Sequence, residues 1–581
     1  YAVVSKANAV ITSMENAENF ESIINGGQSE MGQMYGEAVA MRATAYRELC
    51  KNFGDVPYVG VYGVVPKGLV SRDSIYDVCI EDLQKVEPLM YTIGSIPGIA
   101  AANKNYFSKT YVQALIGRMC LDAAGYQTRR GDIKRVNGKG ESMTFETKGK
   151  ENNGATYGRR SDWQDLYSIA KKYYEALLAD PGNALFHLTD PRGASDKSGR
   201  TFNNPYQYFF EQMHMDDAIY ADESIYEYPM QQGGGNDGRP YSFGRPSSGG
   251  SKAAYPCKSY GQGRINPAYF YGVFDPNDMR RDVSITMTGS NGKGVEKLIP
   301  FVPNSKAEGG GLTLNKWDEN RMDPPYTTSQ RTSGMNWPVL RLADLILMQA
   351  EVKAELGTEG EAIQLLNQIR QRAFGNSDHA ISASGEVLKE AILQERKLEL
   401  LGEGTRRWDL IRSGKFVEKA LAVRAEMTDM VHDLQTKGYH EFANGNVISN
   451  YVYTKKVHLS SPLTFDPDES DPALYPGWRG QYDYSTTSVK VTGTDHNLAI
   501  EGLFNYIDPD GAEAKKLLDE GYAKVDWGAT LVKYADHYTN SNLLPGVKDG
   551  NVPPRYYWPI PFETLSKSKG KITNGYGLAQ E

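Results

Sequence analysis

The strongest hydrophobic pattern in the chain lies between residues 336 and 416, where apolar positions recur at helical spacing. The first apolar stripe consists of Val339, Leu342, Ala343, Ile346 and Ala350. A stripe with this spacing forms one face of an amphipathic helix. It therefore predicts a helix that ends near Gly357, a residue that commonly terminates helices.

A second apolar stripe follows directly and predicts the partner of the first helix. Its members are Ala362, Leu365, Leu366, Ile369 and Ala373. Thr358, with Glu361 three residues later, has the spacing of a capping box at the start of this helix. Because only a short turn separates the two stripes, we predict an antiparallel helical hairpin. Apolar spacing predicts a third helix over residues 386–401.

Two carboxylates of the third helix could carry chemistry. Glu395 and Glu399 lie one helical turn apart, beside Arg396. A glycosidase needs two such groups on either side of a sugar bond in an open cleft. The same block, however, is rich in arginines, at Arg341, Arg370, Arg372, Arg406 and Arg407. We therefore predict that both carboxylates are ion-paired, ionised and structural.

Apolar spacing predicts further helices, which also fall into pairs. They cover residues 30–53, 72–90, 105–126, 162–178 and 416–437. Ser71 or Asp73 is placed to cap the helix that begins at residue 72. Helix pairs of this size resemble tetratricopeptide-type repeats. Between two of these helices, residues 129–160 are rich in Gly, Lys, Asn and Thr, which predicts an exposed loop or hairpin.

Outside the helical stretches the pattern changes to short strands and long loops. The predicted fold class is mainly α within α+β, with tetratricopeptide-like helix pairs as a scaffold and an irregular subdomain of loops and short strands. The predicted regions are a helical-pair half (1–180), an irregular binding region (181–335), a helical-repeat block (336–435) and a loop and strand region that packs on the scaffold (436–581).

Composition excludes several classes of function. The 581 residues carry a formal net charge of −8 and the pI is about 5.7, which argues against nucleic acid as a partner. No apolar run approaches the roughly 18 residues of a membrane-spanning helix. The four cysteines have no CxxC spacing. Cys50, Cys79 and Cys120 fall in predicted helices and are expected to be buried free thiols.

The sequence contains no recognisable metal, cofactor or catalytic motif. Residues 465–472 (FDPDESDP) and 507–513 (IDPDGAE) gather carboxylates that could hold calcium, but neither has the spacing of an EF-hand loop. We expect both to be solvated acidic turns. The histidines form no HExxH pattern, and no GxSxG motif is present. We therefore expect no catalytic residues, no metal and no cofactor.

Five blocks of sequence, spread over most of the chain, follow one another in a recognisable order. They are GEAVAMRATAYRELCKNFGDVPYV (36–59), ESIYEYPMQ (223–231), FDPNDMRRDVSIT (274–286), the helical block with RLADLILMQAE, LLNQIRQRA and ILQERKLELLGEGTRRWDLIRSGKF (341–416), and YYWPIPFETL (556–565). In order and spacing these blocks resemble the SusD/RagB family, the surface nutrient-capture lipoproteins of Bacteroidetes.

This resemblance implies a binding function without catalysis. Members of that family capture an oligomeric nutrient at the outer surface of the outer membrane. They hand it to a TonB-dependent SusC-type transporter, on which they act as a hinged lid. We therefore expect a non-enzymatic protein of polysaccharide utilisation, with a glycan as its ligand. Because family members carry a signal peptide and a lipid-anchored cysteine upstream, we expect such a segment to precede Tyr1.

Candidate ligand contacts come from the resemblance and from the aromatic residues. The chain has 38 tyrosines against 18 phenylalanines, and phenol rings stack on sugars or peptides, although partly exposed packing explains the excess equally well. Tyr62 follows a turn where the family often places an aromatic residue of its glycan platform. Trp317, Tyr326 and Trp478 are aromatic residues of predicted loops, and Asp55 is a polar neighbour of Tyr62. We predict these five as ligand-binding residues.

Three alternatives stay open at this point. A peptide-binding member of the same family would use backbone hydrogen bonds and charged pockets in place of an aromatic platform. A glycoside hydrolase would require two isolated carboxylates in a cleft. A helical-repeat scaffold would bind only protein partners.

Overall fold

Helices are the main secondary structure of the protein. The structure is a computed structural model and describes residues 1–137, 140–149, 151–192, 203–215, 220–235, 237–248, 258–291, 295–304, 306–322, 331–457, 497–541, 547 and 556–580. The helices in these residues are α1 (Ala2–Glu15), α2 (Phe20–Asn25), α3 (Glu30–Phe53), α4 (Arg72–Val86), α5 (Lys109–Ala124), α6 (Trp163–Ala179), α7 (Pro205–Gln212), α8 (Gly238–Phe243), α9 (Pro267–Val273), α10 (Arg280–Ser284), α11 (Leu342–Glu355), α12 (Glu359–Phe374), α13 (Gly385–Glu399), α14 (Arg406–Arg412), α15 (Phe416–Thr436), α16 (Ala512–Asp519), α17 (Gly528–Lys533) and α18 (Phe562–Lys567).

The strands are short and form small antiparallel sheets. In the described residues they are β1 (Gln127–Arg130), β2 (Phe145–Thr147), β3 (Ala155–Arg160), β4 (Ser224–Tyr228), β5 (Ile285–Thr286), β6 (Thr288–Ser290), β7 (Glu296–Leu298), β8 (Thr313–Leu314), β9 (Trp337–Arg341), β10 (Tyr439–Glu441), β11 (Val447–Ser449), β12 (Tyr451–Val457), β13 (Asn497–Glu501) and β14 (Ala523–Asp526). The sheet orders are β1-β3-β2, β4-β9, β5-β8, β6-β7, β10-β11 and β13-β12-β14.

Helices that follow one another pack in pairs and form the scaffold. The pairs are α3 with α4, α5 with α6, and α11 with α12, and α6 also packs on α11 so that the pairs stack. Gly117 permits the close approach of α5 and α6, because a Cβ at this position would lie 2.3 Å from the ring of Tyr174. The predicted helical scaffold and the mainly α class are confirmed.

The predicted start of the first helix in the 336–416 block is wrong. The stretch before Leu342 is strand β9, which pairs with β4, and Val339 is 38% exposed. Pro338 lacks the N–H that a helix interior needs. Arg341 is extended, with φ −141° and ψ 159°, and the helix begins only after it. Long-range strand pairing therefore overrides a local helical pattern.

Of the two predicted helix caps, one is absent and one is present. Thr358 does not form a capping box, because its Oγ1 donates to the Lys353 carbonyl at 3.2 Å and Glu361 forms an ion pair with Lys353. Ser71, in contrast, caps α4 as predicted, since its Oγ accepts the N–H of Asp73 at 3.1 Å.

Residues 129–160 contain the predicted hairpin, but the predicted exposure is wrong for β1. All residues of β1 are buried. Arg129 lies 2.7 Å from Asp73 of α4, and Arg130 donates to the Thr573 carbonyl at 2.8 Å. Arg129 thus places its charge against the scaffold and Arg130 contacts a segment near the C-terminus, which the loop-like composition of residues 129–160 does not reveal.

A second core lies in the loop and strand part of the protein. Residues of α9, α15, β12 and β13 surround Trp527 and Phe301, whose ring centres are 4.3 Å apart. The Trp527 indole N–H donates to the Tyr271 hydroxyl at 2.9 Å, which satisfies a polar group that burial would otherwise penalise. The irregular part is therefore a packed unit with its own apolar interior.

The cysteines of the scaffold are structural. Cys50, Cys79 and Cys120 are buried free thiols, as predicted, and Cys257 lies outside the described residues. Burial raises the pKa of the Cys79 thiol to about 12. A thiol with so high a pKa is protonated and a poor nucleophile at neutral pH.

A buried network of charges joins Glu223, the residue before β4, to residues of β9, α10, α12 and α13. Arg341 Nη1 lies 2.7 Å from Glu399 Oε1 and 2.9 Å from Glu223 Oε1. Arg372 pairs with the same two glutamates, and Arg280 Nη1 lies 3.1 Å from Glu399 Oε2. Burial by itself would raise the pKa of Glu399, but these three arginines lower it below its usual range. The predicted ionised, ion-paired state of Glu399 is confirmed.

Glu395 belongs to the same network. Its carboxylate lies 2.7 Å from Arg280 and 2.8 Å from Arg370. The side chains of Glu395 and Glu399 are 1% and 0% exposed. A glycosidase needs its two carboxyl groups open to a sugar, so this pair does not form such a site.

Replacing Arg341 by Met tests the structural role of this network. The change removes one of the two cations that Glu399 and Glu223 share and the Arg341 partner of Glu403, and we expect the free energy of unfolding to fall by about 3–5 kcal/mol. Denaturant unfolding measures this loss. Lys85→Met is the control, because Lys85 is 71% exposed and pairs with Asp82 at 3.5 Å, and a surface pair contributes at most about 1 kcal/mol. A loss as small as that of the control would contradict the role.

Candidate ligand-binding surface

The ribbon of β4 and β9 ends in two aromatic rings. Tyr228 lies opposite Trp337 in the strand register. Tyr228 is 51% exposed, and Trp337 is partly exposed. The buried Glu227 fixes this end of the ribbon, since its Oε2 accepts a hydrogen bond from the Asn336 side-chain amide at 2.9 Å. The ribbon thus presents a cross-strand pair of rings at the surface.

Arg239 lies across both rings. Its guanidinium carbon is 4.6 Å from the ring centre of Tyr228 and 5.5 Å from that of Trp337. Asp237, the N-cap residue of α8, holds it through a contact of 2.9 Å between Oδ2 and Arg239 Nη2. A guanidinium fixed against aromatic faces keeps N–H donors at its edge. This arrangement suits a ligand that combines apolar faces with hydroxyl groups.

A second pair of rings includes Tyr241 of α8. Tyr241 and Tyr260 have ring centres 4.8 Å apart. The Arg331 guanidinium lies 3.6 Å from the Tyr241 ring centre, and the backbone of Arg331 is left-handed, with φ +69°. Non-glycine residues adopt this conformation only where their surroundings hold them there. We call Tyr228, Arg239, Tyr241, Tyr260, Arg331 and Trp337 the aromatic–arginine surface.

Trp317 supports this surface from beneath. It stacks on Trp337 with ring centres 3.9 Å apart and contacts the ring of Phe210 at 6.0 Å. Trp317 is fully buried. Its predicted exposure in a loop is therefore wrong, because these packing partners cover its ring. Trp317 positions a surface residue and has no face of its own to offer a ligand.

Asp55, another predicted ligand contact, is also buried. It is 2% exposed. Both of its oxygens accept hydrogen bonds from Arg135 at 2.9 Å, and Oδ2 also accepts one from the Tyr576 hydroxyl at 3.1 Å. The scaffold therefore uses the acceptors that a ligand would need.

Tyr62 is exposed, as a ligand contact requires. It is 56% exposed, and its backbone N–H donates to Thr12 Oγ1 at 3.2 Å. Within the described part of the chain, no hydrogen bond or ring contact connects Tyr62 with the aromatic–arginine surface. The other two predicted contacts, Tyr326 and Trp478, lie outside the described residues.

A buried carboxyl group lies near the same surface. Glu319 is 3% exposed, and no cation lies within ion-pair distance of its carboxylate among the residues that the structure describes. Burial, reinforced by the neighbouring carboxylates of Asp318 and Asp237, raises the pKa of Glu319 to about 7. A carboxyl with this pKa is neutral in mildly acidic solution and changes its charge close to neutral pH.

The described residues contain neither a metal-binding group of side chains nor a membrane-spanning helix. There, no group of three or more His, Cys, Asp and Glu side chains is placed to hold a metal ion. Of the two acidic turns, 465–472 lies outside these residues, and in 507–513 Asp508 Oδ1 accepts the N–H of Asp510 at 3.1 Å. No described helix is both long enough and apolar enough to cross a membrane.

Comparison with known proteins identifies the family. The sequence profile described as "SusD family" matches residues 189–577, which is more than half of the chain and includes the whole aromatic–arginine surface. The chain belongs to the SusD family. The resemblance found in the sequence blocks is thereby confirmed.

The relatives of this SusD-family protein include two proteins of Formosa agariphila. SusD-like protein P38 is 41% identical over 114 residues, which are 18% of this chain and 22% of P38. SusD-like protein P2 is 23% identical over 432 residues, which are 71% of this chain and 70% of P2. A crystal structure of a SusD homolog from Bacteroides thetaiotaomicron shares the fold, with a TM-score of 0.52 at 19% identity over 74% of this chain and 76% of that one.

Sequence reasoning missed every residue of the aromatic–arginine surface. The stretch ESIYEYPMQ contains Tyr228, and its aromatic alternation predicts a strand. Its partner Trp337 lies just before Val339, at which the predicted helical stripe begins. Only the pairing of the two strands brings the rings together, and no local pattern in the sequence specifies that pairing.

Replacing Glu319 by Gln tests the state of the buried carboxyl. A carboxyl whose pKa folding raises from 4.5 to about 7 destabilises the fold progressively as the pH rises between these values. We expect the free energy of unfolding of Glu319→Gln, relative to that of the wild type, to be about 1–3 kcal/mol higher at pH 8 than at pH 5. Denaturant unfolding at both pH values measures this shift. Glu81→Gln, at an exposed site on α4, is the control, and its stability relative to the wild type should not change between the two pH values. The same lack of change for Glu319→Gln would contradict the expectation.

Proposed function

We propose that this protein captures an oligosaccharide at the aromatic–arginine surface and passes it to a TonB-dependent SusC-type transporter. The observation that carries the proposal is the exposed ring pair of Tyr228 and Trp337 with Arg239 across both rings. Membership of the SusD family supports a place at the outer surface of the outer membrane, held by a lipid anchor upstream of the chain. In this position the protein acts as a lid on the transporter.

The surface suits sugars for a physical reason. A pyranose ring has apolar C–H faces, which stack on the exposed ring of Tyr228, and hydroxyl groups at its edge, which bond to the N–H donors of Arg239. Asp237 keeps Arg239 in place before a ligand arrives, so little side-chain entropy is lost on binding. Stacking and hydrogen bonds at an open surface favour moderate affinity and release of the captured sugar.

Tyr62 is a second proposed contact. It is more than half exposed, and it follows the turn at which the sequence resemblance expects an aromatic residue of a glycan platform. Because it has no contact with the aromatic–arginine surface among the described residues, its contribution is measured separately. A Tyr62→Ala variant in the titration below decides whether it belongs to the site.

Replacing Tyr228 by Ala tests the proposed site. Loss of one stacking ring should weaken oligosaccharide binding about tenfold, measured by calorimetric titration against a panel of neutral and acidic oligosaccharides and mixed oligopeptides. Tyr506→Ala is the matched control, because Tyr506 is 39% exposed and lies 4.4 Å from Tyr439, outside the surface.

Three results of this titration would change the proposal. Unchanged affinity of Tyr228→Ala, or an equal loss in the control, would remove the surface from the site. Binding of oligopeptides alone would change the ligand class to peptides. Release of shortened sugars would contradict a binding function without catalysis.

Copurification tests the proposed partner. We expect the protein, expressed with its natural anchor, to copurify from detergent-solubilised outer membranes with a large TonB-dependent β-barrel, and Tyr228→Ala to copurify equally well because the ring faces the ligand. Mass spectrometry of the purified complex identifies the barrel. Purification without such a barrel would contradict the lid role and leave only ligand binding.

A further inference from the structure

Four cations around the aromatic–arginine surface have no carboxylate partner among the described residues. They are Lys258, Arg264, Lys297 and Arg331. The buried arginines of the scaffold differ in this respect. Arg341, for example, lies within 2.9 Å of three carboxylates, those of Glu223, Glu399 and Glu403.

Arg331 and Lys258 hold their charges against the two tyrosine rings. The Arg331 guanidinium carbon lies 3.6 Å from the ring centre of Tyr241, and its Nε is buried without a hydrogen-bond partner in the described structure. The Lys258 ammonium lies 5.5 Å from the ring centre of Tyr260. Cations held on aromatic faces keep donors free for a further group. A hydrogen bond from Tyr260, together with the charges of Arg331 and Lys258, lowers the pKa of Tyr241.

Arg264 and Lys297 extend the positive charge along the same loops. Arg264 Nη2 donates to the carbonyls of Lys306 at 2.8 Å and Tyr260 at 3.3 Å, and its Nη1 is buried without a partner in the described residues. Lys297 donates to Ser248 Oγ at 2.6 Å. Burial lowers the pKa of both cations, because their charges are desolvated and no adjacent carboxylate compensates them.

The described carboxylates nearby do not cancel this charge. Asp237 is already paired with Arg239. Glu319 is buried without a cation partner in the described chain. Glu308 is exposed, and it acts on Lys297 only from beyond ion-pair distance. A chain of net charge −8 thus carries a cationic surface beside its exposed rings.

We propose that the captured ligand is an acidic oligosaccharide, whose carboxylate or sulfate groups pair with Arg331 and Lys258 while its sugar rings stack on the neighbouring aromatic side chains. The inference rests on the proposed function and specifies its substrate class. A guanidinium fork matches the geometry of a carboxylate or a sulfate, and such charge-assisted hydrogen bonds are roughly twice as strong as neutral ones.

Matched oligosaccharides test the charge of the ligand. The full chain is titrated with oligogalacturonate and its carboxyl-reduced form, and with dextran sulfate and dextran oligosaccharides of equal length. We expect the acidic member of at least one pair to bind about tenfold or more tightly at 50 mM NaCl. We expect this preference to shrink at 300 mM NaCl, because salt screens exposed charges. The pair that shows the preference distinguishes a carboxylate from a sulfate ligand.

Charge-removing variants connect the preference to these residues. Arg331→Gln combined with Lys258→Gln should lower affinity for the acidic ligand about tenfold or more and leave affinity for the neutral member within about twofold. Lys172→Gln is the matched control, because the Lys172 ammonium lies 5.2 Å from the ring of Tyr173 on α6, a similar contact outside the surface. Thermal unfolding of each variant verifies that it is folded.

Each contrary result has a distinct meaning. Equal binding of acidic and neutral members would overturn the acidic-ligand inference and leave the capture proposal standing. An equal loss for both members in the double variant would overturn the pairing role of Arg331 and Lys258. Poly-glutamate binding as tightly as the acidic sugars would overturn the assignment to a glycan. Failure to bind any oligosaccharide would overturn both this inference and the proposed function.

Discussion

The placement of the aromatic–arginine surface depends on a carboxylate that solvent does not reach. Glu399 of α13 is fully buried, and a buried charge is costly unless opposite charges and hydrogen bonds surround it. Arg341 of β9, Arg372 of α12 and Arg280 of α10 supply those charges. Because each arginine comes from a different element, the compensation is complete only when all of these elements are in place. The network thereby fixes the position of β9 against the helical scaffold.

Arg341 transmits this constraint to the surface. It is the last residue of β9 and the N-cap of α11, and it lies opposite Ser224 in the ribbon. Trp337 is four residues earlier on the same strand, about 13 Å away at the usual strand rise. The rings of Trp337 and Tyr228 are therefore carried by paired strands that end in the ion network. Rigid placement of this kind lowers the entropic cost of ligand binding, while α8 and the segment at Arg331 add the cations.

The sequence predicts those parts of the fold that depend on residues close to one another along the chain. The bounds of α3 follow from apolar spacing alone, and the Ser71 cap follows from residues next to it. The failures are long-range. Val339 fits a helical stripe, but pairing with β4 places it in a strand. Trp317 and Trp337 look alike in the sequence, and only their stacking decides which one is covered. The surface itself joins segments near residues 228, 239, 260 and 331, which no periodicity relates to one another.

Two buried carboxyl groups have pKa values shifted in opposite directions because their surroundings differ. Glu399 and Glu319 are both buried, yet burial dominates at Glu319 and raises its pKa to about 7, whereas arginines lower the pKa of Glu399. The difference lies in the partners, since no cation contacts the Glu319 carboxylate in the described residues. If a cation of the surrounding loops paired with Glu319, the pair would cancel that cation's positive charge. On the proposal of an acidic ligand, the absence of such a pair leaves the Arg331 guanidinium free to bind the anionic group of that ligand.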